Sequence, residues 1–379
     1  MSKAIYVAAT CFQLITDLNI RCNMQGPAGD LIINAESVPD AHDLAERLKK
    51  YNIFDNIFIF KGYDSSFKSV FNGKNTIYSY LKLVVSKHWG KVNLNDFLEG
   101  KKEINLSDYE EGFCFNKRYC DIFRAYGIKI NIIDEGLGSY FAQRISNIDK
   151  VSKIYLYNPE ISDYYNSVKN KIVRVKLLDH KKTTFKKMLN DIFRYNETPI
   201  SNGTIIFLDQ PCLKTPSYIK KMCDVFPVLA KLKGYKKYFY EERVFSFIKE
   251  DIVNLSKNKK IFIKTHPRDN QWQIDFYKSL KIETFENNNL PWEIILLNML
   301  DYKFYLISFS STALLSSSLY FNNMEPTCTS ILIYKRFINK NLDVKLQGYD
   351  KLETLVSKLD GFNKNIFIPE NIEEFHKLI

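Results

Sequence analysis

No apolar run in this chain approaches the about 20 residues that a membrane-spanning helix requires. The opening stretch Met1-Ser2-Lys3-Ala4-Ile5-Tyr6-Val7-Ala8-Ala9-Thr10 meets polar residues too early for a signal peptide. Cysteine is sparse: Cys11, Cys22, Cys114, Cys120, Cys212, Cys223 and Cys328 are odd in number and form no Cys-x-x-Cys pair. That excludes a disulfide frame and a zinc site and points to reduced thiols in a cytoplasm. Fourteen Gly and eleven Pro among 379 residues are too few for a collagen-like or linker-dominated chain. No internal repeat is visible. What is present is ordinary globular material, 45% apolar and 26% charged, which excludes disorder, and the length suits two domains.

Positive charge is in excess, with 54 Lys and Arg against 43 Asp and Glu, a net +11. It is clustered: residues 169–194 hold nine basic side chains against two Asp, and residues 212–237 hold seven Lys against one Asp. No helix-turn-helix, finger or RNA-binding signature accompanies the charge, so nucleic acid is not the expected partner. Solvated helix faces account for such clusters, and an anionic membrane surface is the next reading.

Short β-rich apolar runs alternate with helix-like segments. Strands are expected at Ile5–Ala9, Leu31–Asn34, Ile57–Phe60, Gly112–Phe115, Ile128–Ile133 and Ile154–Tyr157. Helices are expected at Gln13–Cys22, Ala41–Lys50, Phe67–Lys87, Lys117–Tyr126 and over 182–195. Turn-forming residues at 196–203 then mark a boundary, giving domains 1–198 and 199–379. Beyond it, strands are expected at Thr204–Leu208, Lys260–Lys264, Phe304–Ile307 and Ser330–Tyr334. Helices are expected at Ser217–Lys233, Glu241–Ser256, Trp292–Met299, Thr312–Tyr320, Tyr349–Leu359 and Pro369–Ile379. Strands apolar on both faces and separated by helices imply parallel sheets covered on both sides. The expectation is a two-domain α/β protein whose ligand lies in a cleft between the domains.

Ligands of parallel sheets sit beyond the carboxyl ends of strands. The strand ending at Ile133 runs into Asp134-Glu135-Gly136-Leu137-Gly138-Ser139-Tyr140. Adjacent carboxylates there favour a raised pKa on one acid, which could take a proton from a hydroxyl, and the glycines permit close ligand approach. The plainer reading is an acidic helix cap. Lys260–Lys264 leads into Thr265-His266-Pro267-Arg268, where imidazole and guanidinium suit a departing phosphate; a loop histidine is the alternative. Phe304–Ile307 leads into Ser308-Phe309-Ser310-Ser311-Thr312, small hydroxyls opening a helix, which makes either an anion site or an ordinary cap. Leu290-Pro291-Trp292-Glu293 opens another helix, with Glu293 placed to accept from sugar hydroxyls.

Taken in order, Asp134-Glu135-Gly136, His266-Pro267, Pro291-Trp292-Glu293 and Ser310-Ser311 resemble the motifs of bacterial sialyltransferases. The segments Ala9-Thr10-Cys11-Phe12-Gln13-Leu14 and Leu208-Asp209-Gln210-Pro211 look most like glycosyltransferase family 52, which includes lipooligosaccharide and capsule sialyltransferases. The resemblance implies a GT-B architecture, two Rossmann-like domains facing a central cleft. The second would bind CMP-sialic acid and the first would shape the acceptor side, with the last helix free to pack back on the first. Glu135 becomes the general base on the acceptor hydroxyl, supported by Asp134, and Asp209 is the alternative base because some members place theirs in that segment. His266 would donate to the departing CMP phosphate, Ser310 and Ser311 would hold it, and Glu293 would bind the ribose. Pro267, Gly136, Thr10, Gln13 and Thr312 complete the implied substrate contacts.

The resemblance further implies an inverting, metal-independent transfer to an oligosaccharide, a galactose terminus first, on a lipooligosaccharide or capsular precursor. No cofactor is expected beyond the donor substrate itself. The absence of an Asp-x-Asp motif near a strand end agrees with metal independence. The same family holds glucosyl and N-acetylglucosaminyl transferases, so another nucleotide sugar is the alternative donor. A basic, non-catalytic binder of membrane or nucleic acid is the alternative of another class. A cytoplasmic protein resting on the inner membrane face, near a lipid-linked acceptor, would use the 169–194 cluster.

Overall fold

The computed structural model describes residues 3–61, 94–100, 103–145, 147–196, 200–209, 251–256, 259–266, 271–285, 289–309, 311–321, 327–333, 354, 356–359 and 365–379. The chain divides into two compact units, Met1–Tyr195 and Asn196–Ile379. The expected helices Phe67–Lys87 and Ser217–Lys233 lie outside the described residues, as do the lysines of 212–237, Pro267, Arg268 and Ser310.

In the first unit the strands are β1 (Ala4–Ala8), β2 (Gly29–Asn34), β3 (Ile57–Phe60), β4 (Glu111–Cys114), β5 (Lys129–Ile133), β6 (Lys153–Leu156) and β7 (Ile172–Arg174). They form one sheet in the order β3-β2-β1-β4-β5-β6-β7, every pairing parallel. β1 and β2 are buried at every residue, as strands of a sheet covered on both faces are. The helices are α1 (Cys11–Asn23), α2 (Ala41–Lys49), α3 (Lys117–Ala125) and α4 (Thr183–Phe193). α1 starts where Thr10 accepts from the Gln13 N–H, and Asn116 caps α3 through the Arg118 N–H. Arg194, at φ +52°, ends α4 in the left-handed conformation.

The second unit repeats the plan with β8 (Thr204–Leu208), β9 (Ile261–Lys264), β10 (Glu283–Thr284), β11 (Phe304–Ser308), β12 (Cys328–Leu332) and β13 (Ile366–Phe367). Their order is β10-β9-β8-β11-β12-β13, again parallel throughout. Flanking helices are α5 (Gln271–Ser279), α6 (Trp292–Met299), α7 (Ser316–Tyr320) and α8 (Ile372–Leu378). α7 is preceded by a 3-10 turn over Thr312–Leu315, where the sequence reads as one continuous helix. The terminal helix does not need the first unit to bury its apolar face. Phe375, only 1% exposed, packs with Ile205, Phe207, Ile261 and Ile307 in the second unit's own core, with Ile372 and Leu378 against the same cluster.

Each sheet starts with a central strand, winds outward in one direction, then returns to wind the other way. The reversal falls between β1 and β4 in the first unit and between β8 and β11 in the second. At such a point the connections diverge and leave a crevice at the carboxyl edge of the strands. Two Rossmann-like units in one chain are the make-up of a GT-B fold.

Candidate active site

In the first unit, Asp134 and Glu135 follow β5 directly, one strand from the β1/β4 reversal. Extended backbone alternates its side chains, so neighbouring residues face opposite ways. Asp134 turns inward and is fully buried. Its Oδ2 accepts from the Tyr140 hydroxyl (2.6 Å) and the Tyr157 N–H (3.3 Å), and its Oδ1 accepts from the Gly136 N–H (2.9 Å). Burial still pushes the carboxyl up to about 6 against those hydrogen bonds. Enclosed this way, Asp134 holds the turn that carries Glu135.

Glu135 is half-buried at the edge of the sheet. Its N–H donates to Ser139 Oγ (2.7 Å), and its Oε2 accepts from Gln13 Nε2 at 3.2 Å. Gln13 is buried in the first turn of α1, and its Oε1 accepts from the Ala9 N–H (2.7 Å). With that oxygen committed, the amide can only present its N–H₂ to Glu135. Burial raises the Glu135 carboxyl to about 7; the Gln13 hydrogen bond and the Arg144 charge pull it down, and the Asp134 charge adds to the rise. A carboxylate balanced near neutrality suits a general base.

Two glycines shape this turn. Gly136 takes φ +114°, a conformation that side chains rarely adopt. At Gly138 an added Cβ would stand 2.8 Å from Glu135 Oε1, so the missing side chain makes room for the carboxylate. Thr10 and Gln13, expected to contact substrate, have partners within the chain: Thr10 caps α1 and Gln13 donates to Glu135. Ser139, Gly138, Tyr140 and Tyr157 were missed. The first three lie in the quoted loop, but nothing local marks them as partners of the acids, and Tyr157 comes from β6's end.

In the second unit, Ser308 closes β11 and donates from Oγ to the Leu208 carbonyl (2.9 Å), bridging the strands at the reversal. The Ser311 N–H donates back to Ser308 Oγ (3.1 Å), and Ser311 precedes the 3-10 turn. Glu293 lies in the first turn of α6 and accepts from Ser316 Oγ at 3.5 Å. Burial raises its carboxyl, while its own backbone N–H, Ser316 and the Lys264 charge act the other way. Lys264 ends β9, and the half-buried His266 lies two residues beyond. Glu293, Ser311, Ser316, Lys264 and His266 therefore belong to one edge of one sheet. The backbone of Thr312 forms the 3-10 turn's first residue. Asp209 follows β8 but is buried, accepting from Gln273 Nε2 (3.3 Å) and the Tyr277 hydroxyl, both on α5. Such a carboxylate ties α5 to β8 and does not face outward as Glu135 does. Among the described residues no three His, Cys, Asp or Glu side chains gather as a metal site.

Each Rossmann-like unit thus carries polar groups at the carboxyl edge of its sheet, an elevated carboxylate in the first and hydroxyl, imidazole and carboxylate groups in the second. The model of the alpha-2,8-polysialyltransferase family matches residues 67–330, more than two thirds of the sequence and parts of both units. This chain belongs to that family and is a transferase of the sialyltransferase class. Glu135, His266, Glu293 and Ser311 lie inside the match, and Gln13 lies outside it. No curated protein sequence matches the chain. Solved structures similar to it include the GT-B domain of a sialyltransferase from Photobacterium damselae, at 11% identity, covering 97% of this chain and 100% of that one with TM-score 0.46. UDP-GlcNAc 2-epimerase from Methanocaldococcus jannaschii is 12% identical over 100% of this chain and 91% of its own, TM-score 0.46. ADP-heptose LPS heptosyltransferase II from E. coli is 8% identical, covers 96% and 99%, and has TM-score 0.38.

Proposed function

We propose that this protein transfers sialic acid from CMP-sialic acid to a sugar hydroxyl of a surface-glycan precursor, capsular or lipooligosaccharide, with inversion and without a metal. The observation that carries the reading is Glu135, raised to about 7 at the carboxyl edge of the first sheet and hydrogen-bonded by Gln13, within a chain of the polysialyltransferase family. Glu135 is the base on the acceptor hydroxyl; its outward placement favours it over the enclosed Asp209. Departure of CMP leaves an oxocarbenium-like sugar, so little push is needed from the nucleophile and most of the assistance goes to the leaving phosphate. His266 donates to that phosphate, Ser310 and Ser311 hold it, and Glu293 accepts from the ribose hydroxyls. The family's name favours the 8-hydroxyl of a sialyl residue as acceptor, and a galactose terminus is the second to test.

The test is release of CMP from CMP-sialic acid in the presence of sialyl- and galactose-terminated oligosaccharides, with EDTA added. Turnover of a UDP-sugar in place of CMP-sialic acid would overturn the donor assignment. In a thermal-shift screen CMP should raise the melting temperature where UDP and GDP do not. Salt-sensitive binding to duplex DNA without CMP binding would support the non-catalytic alternative.

Gln13→Leu removes the donor that favours ionised Glu135, so that carboxyl should climb further. The acidic limb of kcat/KM against pH should move to higher pH, with the deficit largest below pH ~7 and shrinking toward pH ~9. A limb that stays in place would show that Glu135 is not the titrating base.

No helix among the described residues is long and apolar enough to cross a membrane. Attachment to the inner membrane face through the 169–194 cluster completes the proposal. Lys176 Nζ donates to the Asn23 carbonyl and Lys182 Nζ to Asn23 Oδ1, at the far end of α1 from Gln13. These lysines sit away from the Glu135 edge, where they could meet anionic lipid without obstructing an acceptor.

A further inference from the structure

Resting on the sialyl-acceptor reading above, we propose that Arg144 is the acceptor-specificity residue, binding the carboxylate of the terminal sugar whose hydroxyl is presented to Glu135. Arg144 closes a 3-10 turn, Ala142–Arg144, that continues the loop carrying Glu135. The loop is pinned along its length. The Phe141 N–H donates to the Gly138 carbonyl (3.4 Å), the Arg144 N–H to the Phe141 carbonyl (2.9 Å), and the Ala142 N–H to Asp163 Oδ1 (2.7 Å). Gly138 lies against the Glu135 carboxylate, and Ile145 is buried, so backbone anchors bracket Arg144 on both sides.

The guanidinium itself is exposed, and among the described residues no ion pair or side-chain hydrogen bond engages it. Its charge nonetheless acts on Glu135. The nearby cations at the start of α3 are already committed: Lys117 pairs with Asp121, and Arg118 lies 3.8 Å from Glu36.

Electrostatics supplies the reason for a cation here. Glu135 must be ionised to accept the hydroxyl proton, and Asp134 lies directly behind it. A sialyl acceptor would bring a further carboxylate to the same edge, where like charges oppose each other. A guanidinium whose charge reaches the base offsets that penalty and offers a planar, two-pronged donor matching a carboxylate. A neutral galactose terminus gains nothing from it. Arg144 would thus orient an α-keto-acid sugar, and Glu135 would act on the hydroxyl so placed.

The experiment compares acceptor kinetics of wild type, Arg144→Gln and Arg144→Lys. The acceptors are a sialyl-terminated oligosaccharide and the same compound with its terminal carboxyl methyl-esterified. Arg144→Gln should raise the acceptor KM about 10- to 100-fold, the range of a charge-assisted hydrogen bond, with the KM for CMP-sialic acid unmoved. Esterifying the acceptor should impose a similar rise on wild type and little further loss on the variant. Arg144→Lys should recover part of the loss, since it keeps the charge without the fork. A wild-type acceptor KM in Arg144→Gln, or an equal loss on charged and esterified acceptors, would overturn the role of Arg144 alone. Wild-type release of CMP with galactose-terminated but not sialyl-terminated acceptors would overturn the sialyl-acceptor reading beneath it.

Discussion

Replacing Glu135 by Gln is expected to lower kcat about 10²- to 10⁴-fold, the usual contribution of a positioned acid or base. CMP should still raise the variant's melting temperature, because the groups proposed to hold the nucleotide belong to the second unit. The amide has the same shape as the carboxylate but cannot take a proton. In wild type the same group sets the pH profile. With its carboxyl raised to about 7, the base is protonated below that value, and kcat/KM should climb through pH ~7 to a plateau. Stability should run the opposite way. A folded-state pKa above the unfolded carboxyl value of about 4.3 stabilises the fold below that value, and the contribution is lost as pH rises through about 7. Glu135→Gln should therefore melt higher than wild type at pH ~8, an exchange of stability for activity. Asp209→Asn is the control: turnover near wild type with a lowered melting temperature fits a residue that ties α5 to β8. The reverse pattern, a mild Glu135→Gln and a crippling Asp209→Asn, would exchange the two assignments.

The strands of both sheets were legible because most are apolar on both faces, and Ile5–Ala9 or Thr204–Leu208 differ from the observed β1 and β8 by a residue at most. β7, β10 and β13 were not, since two or three residues at a sheet edge carry no periodic signal, and Arg174 and Glu283 break the apolar run. The acid pair was visible as a pair and the resemblance singled out Glu135, but the direction in which each side chain turns was not legible. Which of Asp134 and Glu135 turns inward depends on Tyr157, 23 residues further on, and on the hydroxyl of Tyr140. Gln13 illustrates the same limit. Its side chain meets Glu135 across 122 residues of sequence, and only the parallel order β1-β4-β5 brings the start of α1 to that edge. In Thr10 and Gln13 the observed partners are a helix end and the candidate base.

His266→Ala is the second large effect: kcat should fall about 10²- to 10⁴-fold, because the departing phosphate loses its proton donor. His266 is half-buried two residues beyond β9, on the edge that also carries Ser311 and Glu293. Its substitution leaves the strand's buried residues Ile261, Phe262 and Ile263 in place, so the melting temperature should hold. Loss of turnover alone would not separate a donor from a packing residue; two further readouts do. Added imidazole should restore part of the rate in His266→Ala, since a free imidazole can enter the space and donate in its place. The acidic limb of the pH profile should stay near pH ~7 in the variant, because the surroundings of Glu135 are unchanged. Combining Glu135→Gln with His266→Ala then tests whether the two groups act in one step. If proton removal from the acceptor and donation to the phosphate share a transition state, the double variant should lose less than the product of the single losses. A full rate in His266→Ala would remove the imidazole from the chemistry and leave the phosphate to Ser311 and its neighbouring hydroxyls.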